Sequence, residues 1–319
     1  MTKVVILQQL TEEQAEKVRE AAPAWEIVHG KFSDGLLPHL KEATVICGWN
    51  KMIEEHCLYE GTALKWIHNW GAGVDRVPLS RLAECGVALT NSSGVHANPI
   101  SETVFAMMLA FTRMLHKYVR QQTKHEWHHA GLRSELHEAT IGIVGVGAIG
   151  LEVARLAKAF RMRVLGVRRS GEPLPEVDVM YGQNRDGLEE LLRQSDYVVV
   201  TVPLTKETYH MFGREQFASM KANAFFVNIG RGKTVDTEAL MEALKSGQIA
   251  GAGLDVFEQE PLPADHPLWD MENVIMTPHT SGSTVHYQDR ALGIFVQNLR
   301  EVAAGGEPEL NRVSLELEY

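Results

Sequence analysis

The chain has 319 residues, 45% of them apolar and 23% charged. That length favours two domains over one core, and the balance excludes disordered, collagen-like and coiled-coil classes. A formal charge of −10 argues against nucleic acid or an anionic membrane as the main partner, because both are attracted by basic surfaces.

In chain order, the opening MTKVVILQQL carries an apolar run too short for a signal-peptide core, and no stretch of about 20 apolar residues follows that would span a bilayer. A cytoplasmic protein is expected. Short apolar runs, VVIL at 4–7, WEIV at 25–28, ATVICG at 43–48, LKWIHNW at 64–70 and GVALTN at 86–91, are separated by segments long enough for helices. That rhythm predicts parallel strands with helical crossovers. Cys47, Cys57 and Cys85 form neither an even disulfide set nor a CxxC pair, so reduced thiols are expected.

A long, half-buried helix is predicted after Asn98-Pro99, with Ser101 and Glu102 in its first turn and Val104, Met107, Met108, Phe111 and Leu115 at helical spacing. Beyond the polar segment 116–139 a second strand series runs through TIGIVG (140–145), RVLGV (163–167), DYVVVTV (196–202), AFFVNIG (224–230), IAGAGLDVF (249–257) and NVIMTP (273–278). A last helix is predicted over 284–304. The fold class is therefore α/β, two doubly wound parallel-sheet domains, with boundaries near 98 and 283. Residues 1–98 plus 284–319 form one domain, and 99–283 form the other.

Gly145-Val146-Gly147-Ala148-Ile149-Gly150 matches GxGxxG between an apolar strand and an apolar helix. Glycines at that turn let backbone amides and the helix N-terminus approach a pyrophosphate, which predicts a dinucleotide-binding domain. An acidic residue about 20 positions further on would accept from the adenosine ribose. Here Arg168-Arg169-Ser170 stands instead. Two guanidiniums and a hydroxyl suit a 2′-phosphate, so NADP is expected in preference to NAD, with NAD still possible.

Three strand-end segments carry candidate chemistry: NIGRGKTVD with Arg231, LDVFEQEPLP with Glu260, and TPHTSG with His279. With GAGVD at 71–75, the Pro-Ile-Ser-Glu helix start, GVGAIG and VPLTKET at 202–208, the chain resembles the D-isomer-specific 2-hydroxyacid dehydrogenases, of the glyoxylate/hydroxypyruvate reductase kind. The resemblance implies a Rossmann cofactor domain and a flavodoxin-like substrate domain. It implies that Arg231 grips the carboxylate and carbonyl of a 2-oxoacid, that His279 transfers the proton, and that Glu260 orients and charges His279. These roles make physical sense: a guanidinium binds a carboxylate with directed hydrogen bonds, and an imidazolium is a natural acid for a nascent alkoxide.

By the same resemblance, the loop 71–75 presents the amides of Ala72, Gly73 and Val74 to the substrate carboxylate. Pro203, Thr205, Ile229, Gly230 and Asp255 join Gly145, Gly147, Ala148, Ile149, Gly150, Arg168, Arg169 and Ser170 as cofactor contacts. Asp255 is expected at the nicotinamide carboxamide, with the capping of a turn as its alternative. Segment 98–139 matches the family's dimer-forming helix and arm, so a homodimer is expected with Trp127 as an anchor. The chain ends without a long regulatory extension, which weighs against effector-controlled phosphoglycerate dehydrogenases.

His125-Glu126-Trp127-His128-His129 is a literal HExxH match, but no third ligand follows in a zinc-peptidase pattern, and no metal is expected. The alternatives are an NAD-dependent hydroxyacid dehydrogenase of the phosphoglycerate type and a non-catalytic dinucleotide-sensing protein. The arginine, glutamate and histidine together favour an enzyme.

Overall fold

The computed structural model describes residues 2–32, 34–74, 76–131 and 134–315. It divides into two compact units, Met1–His96 with Thr284–Tyr319, and Ala97–Ser283. The first part of the chain runs β1 (Lys3–Ile6), α1 (Glu12–Ala21), β2 (Glu26–His29), α2 (Leu37–Lys41), β3 (Val45–Cys47), α3 (Lys51–Cys57), β4 (Trp66–Asn69), α4 (Leu79–Cys85) and β5 (Ala88–Asn91). There follow α5 (Ala97–Thr112), α6 (Leu115–Thr123), β6 (Thr140–Val144), α7 (Ala148–Ala159), β7 (Arg163–Arg168), β8 (Val179–Gly182), α8 (Arg185–Gln194) and β9 (Tyr197–Val200). The remainder is α9 (Arg214–Ala218), β10 (Phe225–Asn228), α10 (Thr237–Ser246), β11 (Gly251–Leu254), β12 (Val274–Met276) and α11 (Tyr287–Ala303).

In the first unit, a five-stranded parallel sheet has the order β2-β1-β3-β4-β5, the flavodoxin-type arrangement. Buried strands with helices on both faces need apolar residues on both sides of the pleat. Accordingly Val4 and Ile6 face one core and Val5 the other. On the first face, α11 closes over the sheet, with Phe295 stacked on Trp66 at 5.2 Å between ring centres. Beside it, α1 is fixed at its start by a capping box in which Thr11 and Gln14 exchange side-chain and backbone hydrogen bonds.

The second unit holds a seven-stranded sheet of order β12-β11-β10-β9-β6-β7-β8, with every pairing parallel. Strand order reverses between β6 and β9, the Rossmann topology, and ligands of such sheets bind beyond the carboxyl ends of the strands at that reversal. Val198, Val200 and Phe226 fill one face, and Val199, Phe225 and Val227 the other.

Three features depart from the sequence expectations. The edge strand β8 lies outside the expected strand series; among the described residues it pairs with β7 alone and is half-buried throughout. The polar segment after 115 contains α6, which buries none of its residues. The predicted long helix, α5, begins at Ala97, so Pro99 sits in its first turn, where its missing N–H has no intrahelical partner to lose. Cys47 and Cys57 are buried and all three thiols are free. Among the described residues no helix is long and apolar enough to cross a membrane.

Candidate active site

The carboxyl ends of β6 and β9 flank the reversal point of the second sheet. Gly145 has φ +100°, and a Cβ there would lie 2.8 Å from Val202 Cγ1; no other residue adopts this turn without strain. A Cβ on Gly150 would lie 2.5 Å from Gly145 O, so the turn and α7 touch through backbone. At the N-cap of α7, Gly147 offers no side-chain hydrogen bond, and Gly147 and Ala148 are exposed while Ile149 is half-buried. The helix's first amides are thus left for an external acceptor. Thr201 Oγ1 donates to Gly145 O and locks the strand end to the glycine turn.

At the end of β7, Arg168 is half-buried, whereas Arg169 and Ser170 are exposed. The turn closes with Gly171 N–H donating to Arg168 O at 3.1 Å and Glu172 N–H to Ser170 Oγ at 3.3 Å. Beyond β9, Pro203 and Thr205 lie in a loop held by the buried Thr208. Its hydroxyl donates to Pro203 O at 2.6 Å and accepts from Thr205 N at 2.7 Å.

After β10, Asn228 folds the chain back on itself. Its Oδ1 accepts from Gly230 N at 3.1 Å and its Nδ2 donates to Arg231 O at 3.1 Å. Ile229 is buried beneath this turn, and Arg231 Nη1 donates to Gly230 O at 2.9 Å. The following residue sets the spacing to β11: a Cβ on Gly232 would lie 1.9 Å from both the carbonyl carbon and oxygen of Phe257. The arginine loop and the glutamate loop therefore meet backbone to backbone. On their outer side His210 N–H donates to Lys233 O at 2.9 Å and His210 Nε2 meets Glu258 Oε1 at 2.5 Å.

Glu260 uses its two oxygens differently. Oε1 accepts from Phe257 N at 3.0 Å, and Oε2 meets His279 Nδ1 at 2.7 Å. The histidine lies in a turn after β12 with φ +52°, and Asp255 organises that turn. The fully buried Asp255 carboxylate accepts from Thr277 Oγ1 at 2.6 Å, Thr280 N at 2.9 Å and both the amide and hydroxyl of Ser281. The Asp255 side chain thus caps the turn with both oxygens. Glu260 and His279 are in direct contact, and Arg231 is carried by the neighbouring loop.

Ala72, Gly73 and Val74 belong to the other unit, beyond the end of β4; Asp75 of the same motif lies outside the described residues. Gly71 O and Gly73 O accept from Asn69 Nδ2 at 3.0 and 2.8 Å, and Ala72 O accepts from Asn91 Nδ2 at 2.8 Å.

The D-isomer-specific 2-hydroxyacid dehydrogenase NAD-binding domain model matches residues 105–281. Over 320 residues the chain is 36% identical to a glyoxylate reductase of Thermococcus onnurineus, covering 96% of this chain and 94% of that one. The chain belongs to the D-isomer-specific 2-hydroxyacid dehydrogenase family. Among solved structures, a family protein from Aeromonas salmonicida superposes with a TM-score of 0.84 at 32% identity, covering 98% and 99% of the two chains. An NADPH-dependent glyoxylate/hydroxypyruvate reductase from Sinorhizobium meliloti, in complex with NADP and sulfate, gives 0.81 at 27% identity over the whole of both.

As a member of this family, the protein is an NAD(P)-dependent oxidoreductase, and its glycine turn fits the cofactor. The exposed start of α7 has room where a Cβ on Gly147 would meet nothing within 4 Å, and the uncapped amides supply donors for a pyrophosphate. Sequence reasoning missed Thr201 and Thr208, which hold the turn and the 203–205 loop; hydroxyl residues at a strand end followed by a T-x-x-T spacing were the available signal. It also missed Asn69 and Asn91. The HExxH match does not lie on a helix, and His125 has φ +55°. Among the described residues no group of three His, Cys, Asp or Glu is placed to hold a metal.

Proposed function

We propose that the protein reduces a small 2-oxoacid of the glyoxylate or hydroxypyruvate type to the D-2-hydroxyacid, with NADPH preferred over NADH. The observation that carries this reading is the 2.7 Å contact between Glu260 Oε2 and His279 Nδ1, which leaves the other ring nitrogen, Nε2, to face a reacting oxygen. Bound at the glycine turn, NADPH supplies the hydride. Arg231 pairs its planar guanidinium with the substrate's carboxylate and carbonyl oxygen and stabilises the charge that grows there. His279 Nε2 gives its proton to that oxygen, completing the hydroxyl, while Glu260 holds the imidazole and balances its charge.

Arg168, Arg169 and Ser170 stand at the end of β7, where a carboxylate would repel a 2′-phosphate and guanidiniums bind it. The NADP complex of the Sinorhizobium meliloti relative supports this choice. Pro203, Thr205, Ile229, Gly230 and Asp255 complete the cofactor contacts in this reading, and the amides of Ala72, Gly73 and Val74 take the substrate carboxylate. A homodimer through 98–139 is part of the same proposal, supported by Leu115, Val119 and a fully exposed Trp127, apolar surface of the kind that marks an interface. Steady-state turnover of a panel of 2-oxoacids with NADPH and with NADH tests the reading. The expected result is highest kcat/KM for glyoxylate or hydroxypyruvate with NADPH; no turnover of any 2-oxoacid with either cofactor overturns it.

A further inference from the structure

Four successive carbonyls after β4 are all claimed from within their own unit. Trp70 O accepts from the Tyr287 hydroxyl at 2.5 Å. Gly71 O accepts from Asn69 Nδ2 at 3.0 Å and Ser92 N at 3.3 Å. Ala72 O accepts from Asn91 Nδ2 at 2.8 Å, and Gly73 O from Asn69 Nδ2 at 2.8 Å. In a trans peptide the C=O of one residue and the N–H of the next point in opposite directions across one plane. Fixing the oxygens of Gly71, Ala72 and Gly73 toward the two asparagines therefore turns the N–H groups of Ala72, Gly73 and Val74 the other way.

Both asparagines are built to hold that orientation. They are largely buried at the carboxyl ends of adjacent strands, β4 and β5, whose register pairs Asn69 with Asn91. Asn91 is itself held by the C-terminal segment. Its N–H donates to Asn311 O and its carbonyl accepts from Asn311 Nδ2, both at 3.2 Å. One Asn69 amide bridges two carbonyls of the loop, a geometry that a carboxylate side chain, with no donor, reverses.

We propose that Asn69 and Asn91 are positioning residues for recognition of the oxoacid's carboxylate. By holding the loop's carbonyls away, they aim three successive amides at the anion, which neither asparagine needs to touch. This rests on the reading of Ala72, Gly73 and Val74 as the carboxylate site, and the test separates the two. Asn69→Asp and Asn91→Asp keep shape while removing the donor, and each is assayed with NADPH on glyoxylate and on its methyl ester, which keeps the carbonyl and lacks the charge.

For wild type, kcat/KM for the acid exceeds that for the ester. In each variant KM for the acid rises roughly tenfold to hundredfold, as for loss of hydrogen bonds to a charged group, while the ester's kcat/KM and the KM for NADPH stay near wild type. The acid-to-ester ratio thus collapses, which a general loss of stability does not produce. A wild-type enzyme indifferent to the charge overturns the carboxylate-site reading and the proposal with it. If wild type discriminates and both variants keep its ratio, the proposal alone is overturned. Circular dichroism and NADPH fluorescence establish folding, and Asn69→Ser and Asn91→Ser, which do not add a charge, replace any aspartate variant that does not fold, judged by the same ratio.

Discussion

The backbone N–H of His279 donates to the carbonyl of Asp255 at 2.8 Å, while the Asp255 carboxylate accepts from Thr280 and Ser281 on the far side of the same turn. One buried residue thus holds the chain on both flanks of the histidine and stabilises its left-handed backbone, a conformation that non-glycine residues adopt only when their surroundings impose it. Asp255→Asn removes one acceptor oxygen and leaves donors of the turn competing for the other. The expected result is a kcat lowered by tenfold or more and a stability loss of about 1–3 kcal/mol, the cost of unmet buried hydrogen bonds. Kinetics with NADPH and denaturant unfolding check both, and wild-type kcat in a folded variant speaks against Asp255 as the organiser of this turn.

Gly232 offers a second structural test. Its missing side chain lets the arginine loop lie against the Phe257 carbonyl, and a Cβ at 1.9 Å has only backbone to displace. Gly232→Ala should therefore separate the loops of Arg231 and Glu260, lowering kcat/KM by roughly a hundredfold and stability by about 1–3 kcal/mol. Activity equal to wild type would show that the two loops shift without consequence.

These two residues also mark where sequence stopped being informative. The strand series and the glycine turn were legible because parallel sheets bury both faces and announce themselves as apolar runs, as in Val198–Val200 and Phe225–Val227. Strand β8, Val179–Gly182, was not, because its apolar run is only the three residues Val179–Tyr181 before a glycine, too short to stand out, and it is half-buried along its length at the sheet's edge. Helix α6 was hidden for the opposite reason, since it buries none of its residues and no apolar stripe faces a core. Glu260 and His279 were singled out as motif residues, but their separation is set by the Asp255 turn, whose donors Thr277, Thr280 and Ser281 arrive more than twenty residues later in the chain. No local pattern encodes that convergence.

In the proposed reading, cofactor choice follows from the end of β7. Replacing Arg168 with Asp and Arg169 with Pro removes both guanidiniums and adds a carboxylate at the position that would face a 2′-phosphate. KM for NADPH is expected to rise by roughly tenfold to hundredfold, with NADH use improved, since specificity is a difference of two affinities. Equal kcat/KM for NADH and NADPH in the unmodified protein would remove the role assigned to Arg168 and Arg169.

Stability should carry a signature of His68. Burial lowers its pKa from 6.5 to about 3, and its ring nitrogens meet Thr90 Oγ1 at 2.8 Å and Ser92 Oγ at 3.1 Å. Between those two values the unfolded chain binds a proton that the folded chain does not, so stability present above pH 6.5 falls as the pH is lowered toward 3, at about 1.4 kcal/mol per pH unit. Asp178 and Asp196 are lowered despite desolvation, through hydrogen bonds that include those from Lys158 and Thr140, and Glu42 and Glu242 are lowered by hydrogen bonds from Lys3 and Arg214, so these contributions are lost below 3.8 and 4.5 respectively and leave the range above 4.5 to His68. Urea unfolding from about pH 7 to about 5 should show this slope in wild type and a flatter one in His68→Gln. Parallel slopes would mean that His68 titrates alike in both states.

The last prediction concerns the proton. Reduction leaves a negative oxygen where the carbonyl was, and in the proposed reaction only His279, among the three groups assigned, both reaches that oxygen and carries a proton to give. Arg231 acts by charge and hydrogen bonding. Glu260 already spends one oxygen on Phe257 N and the other on His279 Nδ1, so it acts through the imidazole. The three substitutions should therefore separate in kind. His279→Ala should lower kcat by roughly a hundredfold to ten-thousandfold, the usual contribution of a positioned acid, and leave the affinity for NADPH nearly unchanged. Arg231→Ala should raise KM for the oxoacid as well as lowering kcat, because the lost interaction is made in both ground and transition states. Glu260→Gln keeps the shape and one acceptor while removing the charge, so kcat falls by less than in His279→Ala and KM for the oxoacid changes little. Stopped-flow NADPH oxidation under single-turnover conditions, with cofactor binding followed by fluorescence, reads all three. A His279→Ala enzyme that reduces the oxoacid at near wild-type rate would take the proton-transfer role away from His279.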